Sequence, residues 1–445
     1  MSDLPHGWTS ASLADLVAQD GLFTDGDWVE SKDQDQDGEV RLIQLADVGV
    51  SEFRDHSNRR LTSAKAEELR CTYLEPGDVL IARMPKPLGR ACIFPPDQGP
   101  SVTVVDVAVL RPGKEGVDSR WLMWAINSPQ SGRRIEQHSS GTTRQRISKK
   151  NLATIPIGVP PISEQRRIVE AIEGYFIWLD SAEAAIQTGL RRCTRLKASV
   201  LNGAISVEWP NAPLGEYLLS LRNGVFVSRP AAEPPGFPIL RISAVRPMVL
   251  DMKDVRYAPG GTPKVDSNCV EEGNLLFTRY SGNPDYVGAC AVVPKTTEAI
   301  AYPDKLIRAV VDETRMDPRY IAIAMTARLG RQQVESRLKT TAGQVGIAGS
   351  QLKTVRLPVP PMAEQVRIVK YVETALAEVD RIRDALEQTL ARVTALRRSI
   401  LQKAVSGDLV SQESEDEPAA LLLQRIQTDR TVSTGSKSRR MKVTA

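Results

Sequence analysis

At 445 residues, 41% apolar and 25% charged, the chain is long enough for roughly two to four domains and needs no disulfide or metal to hold its cores. A formal net charge of +4 excludes a polycation, so any affinity for nucleic acid must come from local clustering. Five scattered cysteines (Cys71, Cys92, Cys193, Cys269, Cys290) without a CxxC pair exclude a zinc ribbon or disulfide framework and lead us to expect a reducing, cytoplasmic setting. No secretory signal is expected, and no apolar run reaches the ~18 residues of a membrane span.

Residues 1–158 form the first globular segment, which opens GWTSASLADLV. The string DQDQDG at 33–38 starts like a calcium loop. Its twelfth position is Gln44 instead of a bidentate Glu, and a strand pattern follows, so it reads as a solvated acidic loop. Short β-branched runs bounded by Gly, Pro and Asp predict strands at 40–45, 79–82 and 102–110. Three- and four-residue apolar spacing predicts a helix over 119–128. Residues 159–206 then carry a long helical period. A second globular segment occupies 207–358, a second long helix 359–410, and a tail 411–445. The tail reads as an acidic patch, a short amphipathic run at 419–427, and a polar basic end expected to be disordered from Thr431.

The two long stretches are copies. VPPISEQRRIV at Val159 and VPPMAEQVRIV at Val359 begin segments that align without a gap at an offset of 200, with 19 of 48 positions identical. The repeat extends into the globules. EPGDVLIAR (75–83) answers EEGNLLFTR (271–279), DSRWLMWAI answers DPRYIAIAM, and ISKKNLATI answers IAGSQLKTV. Cys92 and Cys290, in RACIF and GACAV, are expected to be buried small residues on matching strands. The expected class is α+β: two pseudo-repeated globules joined by two long helices.

Both helices show heptads. One row is Ile172, Leu179, Ile186, Cys193 and Val200, matched by Val372, Val379, Leu386, Val393 and Ile400. The second row is Ile168, Tyr175, Ala182, Gly189 and Leu196, matched by Ile368, Ala375, Ile382, Thr389 and Leu396. This predicts a coiled coil about 60 Å long, formed within one chain and able to run antiparallel. Pro-Pro enforces an extended approach to each helix, and Glu164 and Glu364 suit the positive end of the helix dipole.

Catalytic motifs are missing from the sequence. Asn283-Pro284-Asp285-Tyr286 resembles the amine-holding loop of amino-methyltransferases but lacks its second proline, and no glycine-rich cofactor turn accompanies it. His6, His56 and His138 are isolated. Charge clustering carries more. Residues 131–150 hold Arg133, Arg134, Arg144, Arg146, Lys149 and Lys150 against one acid, among Thr142, Thr143 and Gln145. The matching place in the second segment carries Arg328, Arg331, Arg337 and Lys339, with Thr340, Thr341, Gly343 and Gln344 behind them. Cations interleaved with hydroxyls and glycine suit a phosphate backbone. A second cluster follows each EPGDVLIAR-type strand: Arg83, Lys86 and Arg90 in the first, Arg279, Tyr280, Ser281, Asn283 and Tyr286 in the second. Arg, Asn and Tyr suit base edges. These twenty-odd residues are the sequence's candidate contacts to double-stranded DNA.

The twice-used PPxxEQxRIV box, with GWTSASLADL, EPGDVLIAR and ISKKNLATIPIG before it and their second copies, resembles the DNA-specificity subunit of type I restriction–modification systems over residues 1 to about 410. The resemblance implies a non-catalytic protein with two target recognition domains, one per half of a split site, spaced by an intramolecular antiparallel coiled coil. It implies two modification (methyltransferase) subunits and restriction (endonuclease and translocase) subunits as partners. No cofactor is implied in this chain: S-adenosylmethionine, ATP and magnesium go with the partners. We expect Glu164, Gln165, Arg167, Glu364, Gln365 and Arg367 to bind those partners. One departure stands: Ala348-Gly349-Ser350 replaces Ser148-Lys149-Lys150, so the first pair of lysines has no basic counterpart. The alternative is a coiled-coil interaction scaffold or decoy.

Overall fold

The repeat becomes one small sheet built twice. The computed structural model describes residues 4–141, 144–341 and 344–441, with the backbone alone at Thr341 and 431–441. The chain divides into two units, residues 1–185 with 389–445 and residues 186–388.

In the first unit, strands Leu22–Asp25, Val107–Arg111, Val79–Ala82 and Ala91–Ile93 form an antiparallel sheet in that spatial order. Val79, Leu80, Ile81 and Ala82 are all fully buried, which is why this strand reads as an unbroken apolar run. Each such Val, Leu or Ile contributes about 1.5–3 kcal/mol of burial. Helix Ser119–Ile126 covers the sheet, capped by Asp118, whose carboxylate accepts from the Arg120 and Trp121 amides. Strand Thr9–Ser12 pairs with Pro156–Val159, so the start of the globule is sewn to its end just before the long helix. The expected single run at 102–110 is two strands. Ser101–Thr103 lies parallel to Val40–Ile43, and Val107–Arg111 belongs to the main sheet, because the chain turns at 104–106.

The second unit repeats this frame. Its sheet order is Leu218–Asn223, Leu306–Val311, Leu275–Thr278 and Cys290–Val292, and Asn211–Pro213 pairs with Arg356–Pro358. Cys92 and Cys290 are both fully buried on the matching edge strands. Burial pushes the Cys92 thiol up to about 12 and the Cys290 thiol higher still. The inserts keep one arrangement and differ in length and loops: Val40–Ile43 lies between antiparallel Arg60–Leu61 and parallel Ser101–Thr103, as Phe237–Leu240 lies between antiparallel Val255–Ala258 and a parallel bridge from Ile239 to Ala301. The first unit adds the three-stranded sheet Arg60–Leu61, Val40–Ile43, Ser101–Thr103. The second adds pairs Phe237–Leu240 with Val255–Ala258 and Val245–Arg246 with Val249–Leu250, and a small sheet of Tyr280–Ser281, Gln344–Gly346 and Lys339–Thr341.

The long helices are Ile162–Ala204 and Met362–Ser406, and they pack together. Within the second unit Gly189 meets Leu386 and Lys197 pairs with Asp380, so numbers rise on one helix as they fall on the other: the pair is antiparallel. One predicted row is the seam: Ile172, Leu179, Ile186, Cys193, Val372, Val379, Val393 and Ile400 are buried. The other is a correction. Ile168 and Ile368 are buried where the globules cover them, but Tyr175, Ala182, Leu196, Ile382, Thr389 and Leu396 face outward. The row beside the seam is Val169, Phe176, Glu183, Leu190 and Lys197, matched by Val369, Leu376, Arg383, Leu390 and Arg397, all buried or half-buried. Its charged members lay their stems on the seam and end in ion pairs, Lys197 with Asp380 and, in the first unit, Arg397 with Asp180 and Glu183.

The tail also differs from expectation. Helix Ala419–Met441 runs past Thr431, where composition alone argues for disorder. Ala419, Leu422, Leu423 and Ile426 are buried in the first unit.

Candidate nucleic-acid interface

The first-unit candidates divide by what their side chains already hold. Arg83 is buried. It pairs with Asp25 at 3.2 Å and donates to the carbonyls of Ile147 and Val105, so it is a strut beneath the loops. Arg90 donates to the carbonyls of Val48, Leu45 and Pro85 and fixes the 84–90 turn in the same way. These two corrections share one reason: a guanidinium with five donors is the cheapest way to satisfy clustered loop carbonyls. Lys86 is exposed, 3.7 Å from Glu136. Arg133 and Arg144 are exposed, and Arg134 donates to the Pro156 carbonyl. Arg146 is half-exposed, 3.1 Å from Asp106. Gln145 is half-buried, and its Oε1 has no hydrogen-bond partner among the described residues. Thr142 and Thr143 lie outside the described residues.

The second unit brings four of its candidates, Tyr280, Ser281, Tyr286 and Gln344, to one cleft. Tyr280 and Ser281 pair with Val345 and Gly346, while Lys339 and Thr341 flank the same strand, so the small sheet sets Tyr280, Ser281, Lys339 and Gln344 side by side. The cleft beside it has a volume of about 570 Å³. Its lining includes Tyr280, Ser281, Tyr286 and Gln344, together with Arg241, Arg246, Arg256 and Lys305. Arg246 lies over the Tyr286 ring at 4.5 Å and Arg279 over the Tyr280 ring at 4.8 Å. Asn283 accepts from the Asp285 amide at 2.9 Å and so caps a short turn, which takes its side-chain oxygen out of the amine-holding role its motif suggested. Arg331 clamps the carbonyls of Val287 and Pro284 and Arg337 that of Gln333, so both brace the loop from behind.

Arg241, Arg246, Arg256 and Lys305 escape a reading of the sequence. They come from separate strands and loops, with no local cluster to mark them, and only the fold brings them to one cleft. Among the described residues no group of His, Cys, Asp and Glu could hold a metal ion.

Half of the PPxxEQ box residues, Glu164, Gln165 and Gln365, are internal and hold the frame, while Arg167, Glu364 and Arg367 reach the surface. Gln165 accepts from the Asp118 amide at 2.9 Å and donates to the Pro160 carbonyl at 2.9 Å. Gln365 does the same with Asp317 and Pro360, at 2.8 and 2.9 Å, and also reaches the Arg315 carbonyl. Both are fully buried. Each therefore locks its long helix to the cap of the globule's own helix. Glu164 is buried too, its carboxylate accepting from the Trp8 indole at 3.0 Å. Burial raises its pKa against the opposing pull of Trp8 and Arg167.

The third box residue distinguishes the units. Arg167 is bound by the chain's own tail: Asp416 at 2.6 Å, Glu413 at 3.4 Å and the Ser411 carbonyl. Among the described residues Arg367 pairs only with Glu364, at 2.6 Å, and its side chain is 76% exposed. Exposed apolar side chains adjoin the boxes: Tyr175, Ile177 and Trp178 in the first unit, Val366, Tyr371 and Ile382 in the second. No helix among the described residues is long and apolar enough to cross a membrane.

Comparison with known proteins gives concordant results. The family model described as type I restriction modification DNA specificity domain matches residues 5–190. The chain is 33% identical over 357 residues to the type I restriction enzyme EcoKI specificity subunit of Escherichia coli, covering 75% of this chain and 76% of that protein. It is 27% identical to the StySPI specificity subunit of Salmonella potsdam, over 69% of this chain and 71% of that one. Among solved structures, a chain from a study of complex assembly and conformational transition of the type I R-M system has the same fold with a TM-score of 0.73, at 18% identity over 92% of this chain and 100% of that one. The HsdS subunit from Thermoanaerobacter tengcongensis follows with a TM-score of 0.52, at 18% identity over 91% of this chain and 98% of that one.

Proposed function

The chain belongs to the DNA-specificity subunits of type I restriction–modification systems, the non-catalytic subunits that recognise DNA sequence, and from that premise we propose that it reads a two-part DNA site, one half with each unit. The observation that carries this is the sheet frame built twice with different inserts. A common frame presents each insert to the duplex in the same way, and different inserts read different bases. In the second unit the reader is the cleft of Arg241, Arg246, Arg256 and Lys305 with Tyr280, Tyr286 and Gln344. In the first it is the exposed set Lys86, Arg133, Arg144 and Arg146. The coiled coil sets the gap between half-sites. Two modification subunits, joined by restriction subunits, dock on the helices through Tyr175, Ile177 and Trp178 on one side and Arg367, Val366 and Tyr371 on the other. S-adenosylmethionine, ATP and magnesium serve those partners in the cytoplasm.

Methylation mapping of host DNA with and without the gene tests this. Loss of methyladenine at a single bipartite sequence is the expected outcome. An unchanged methylome despite expression of the modification subunits would favour the scaffold reading instead.

A further inference from the structure

One side chain in each unit is exposed, aromatic and built into the same place. Trp28 is 70% exposed and Phe226 71%. Both stand two residues after a glycine that crosses a backbone too closely for any side chain. A Cβ on Gly26 would lie 2.2 Å from the Val104 carbonyl oxygen, and one on Gly224 would lie 2.1 Å from that of Tyr302. The hydrogen bonds match as well. The Gly26 amide donates to Val107 and that of Asp27 to Thr103. The Gly224 amide donates to Leu306 and that of Val225 to Tyr302. Each aromatic is followed by a valine packed inward: Val29 joins the cluster of Val40, Leu42 and Leu61, and Val227 that of Ile239, Val265 and Ala301. The backbone is therefore a rigid strap pinned on both sides of a ring that faces water.

A single exposed aromatic is ordinary. Two at one structural position are not, since the strings that carry them, DGDWVESKD and RNGVFVSRP, otherwise differ while the strap and its parallel bridges, Asp27 to Val104 and Val225 to Pro303, are kept. Phe226 also lines the cleft that holds Arg241, Arg246, Arg256 and Lys305. Phe226, an apolar ring kept in water amid those cations, fits a ligand offering both phosphates and flat apolar faces. Trp28 is oriented by an indole N–H bond to Glu30 at 3.2 Å.

We propose that Trp28 and Phe226 are a matched pair of wedges, each inserted against a base step of the half-site read by its own unit. This rests on the two-part reading given above. The arginines then hold the backbone while the ring unstacks or supports the step, which adds discrimination through the deformability of that step.

The test uses the complex assembled with its modification subunits and duplexes carrying the site found by methylation mapping, with 2-aminopurine at each position in turn. The wild type should show a fluorescence gain at one step in each half-site. Phe226→Ala should abolish the gain in one half-site and Trp28→Ala that in the other. Each should weaken binding roughly 5- to 100-fold. Phe226→Trp should restore both readouts, which a loss of folding would not allow. Alanine variants that bind as tightly, with an unchanged fluorescence pattern, would overturn the wedge and leave the two-part reading standing. A wild-type complex that binds the mapped site no better than a scrambled duplex would overturn both.

Discussion

Single residues in this chain divide into those whose polar atoms hold the frame and those left open to solvent, and hydrogen bonding separates them better than charge does. Gln165 and Gln365 illustrate the first kind. Replacing either with Leu leaves a buried amide and a buried proline carbonyl without partners. Each change should cost about 1–3 kcal/mol, read from the urea midpoint. Arg167 behaves differently because its partner is the tail. Hydrogen bonding to Arg167 holds the Asp416 carboxyl below its ordinary value of 3.8. A lowered folded pKa means that this tether is complete above the ordinary carboxylate range and is lost as pH falls through the lowered value. Protection of residues 408–426 from proteolysis or hydrogen exchange should thus persist at pH 7 and fail once the pH falls below the ordinary carboxylate range. Arg167→Glu should release the same segment at pH 7, whereas Arg367→Glu should leave it docked. Glu164 opposes this trend: burial raises its pKa, so its contribution to stability falls as pH rises through the raised value.

At the scale of elements, the coiled coil was legible as a period and misread as a face. Two apolar rows flank any heptad seam, and Tyr175, Leu196, Ile382 and Leu396 look as suited to the seam as Phe176, Lys197, Arg383 and Arg397 look unsuited. Packing reverses the choice because lysine and arginine bury their stems and pair at the tips, as Arg397 does with Glu183 at 3.3 Å and over the Phe176 ring at 5.0 Å. The consequence is measurable. Leu196→Gln and Leu396→Gln should change thermal stability by no more than about 0.5 kcal/mol, as surface substitutions do. Val379→Asp, which buries an unpaired charge, should cost about 3 kcal/mol or more. Similar losses in both classes would return Leu196 and Leu396 to the seam.

For the whole molecule, the proposed two-part reading makes the helices the element that couples two readers, and their length a specificity parameter independent of base contacts. Deleting seven residues in register from each helix, at positions around 183–189 and 383–389, should change the number of unread base pairs between half-sites and leave the half-sites as they were. Methylome sequencing reads both at once. Replacing Arg241 and Arg256 with Gln should flatten the salt dependence of DNA binding, as loss of two phosphate contacts requires.

The sequence by itself determined the repeat, the α+β class, the two long helices and the family. Each depends on local period or on strings such as PPxxEQxRIV that survive in one dimension. Only tertiary structure decided which cations are available. Arg83, Arg90, Arg331 and Arg337 sit in basic strings yet spend their donors on loop carbonyls, whereas Arg241, Arg246, Arg256 and Lys305 sit in no string and share a cleft, where Arg241 is held by Asp254 at 3.0 Å and Arg246 donates to the Val245 carbonyl. A charge is visible in sequence, but its hydrogen-bond partners come from residues tens of positions away, and those partners determine whether it is a strut or a contact.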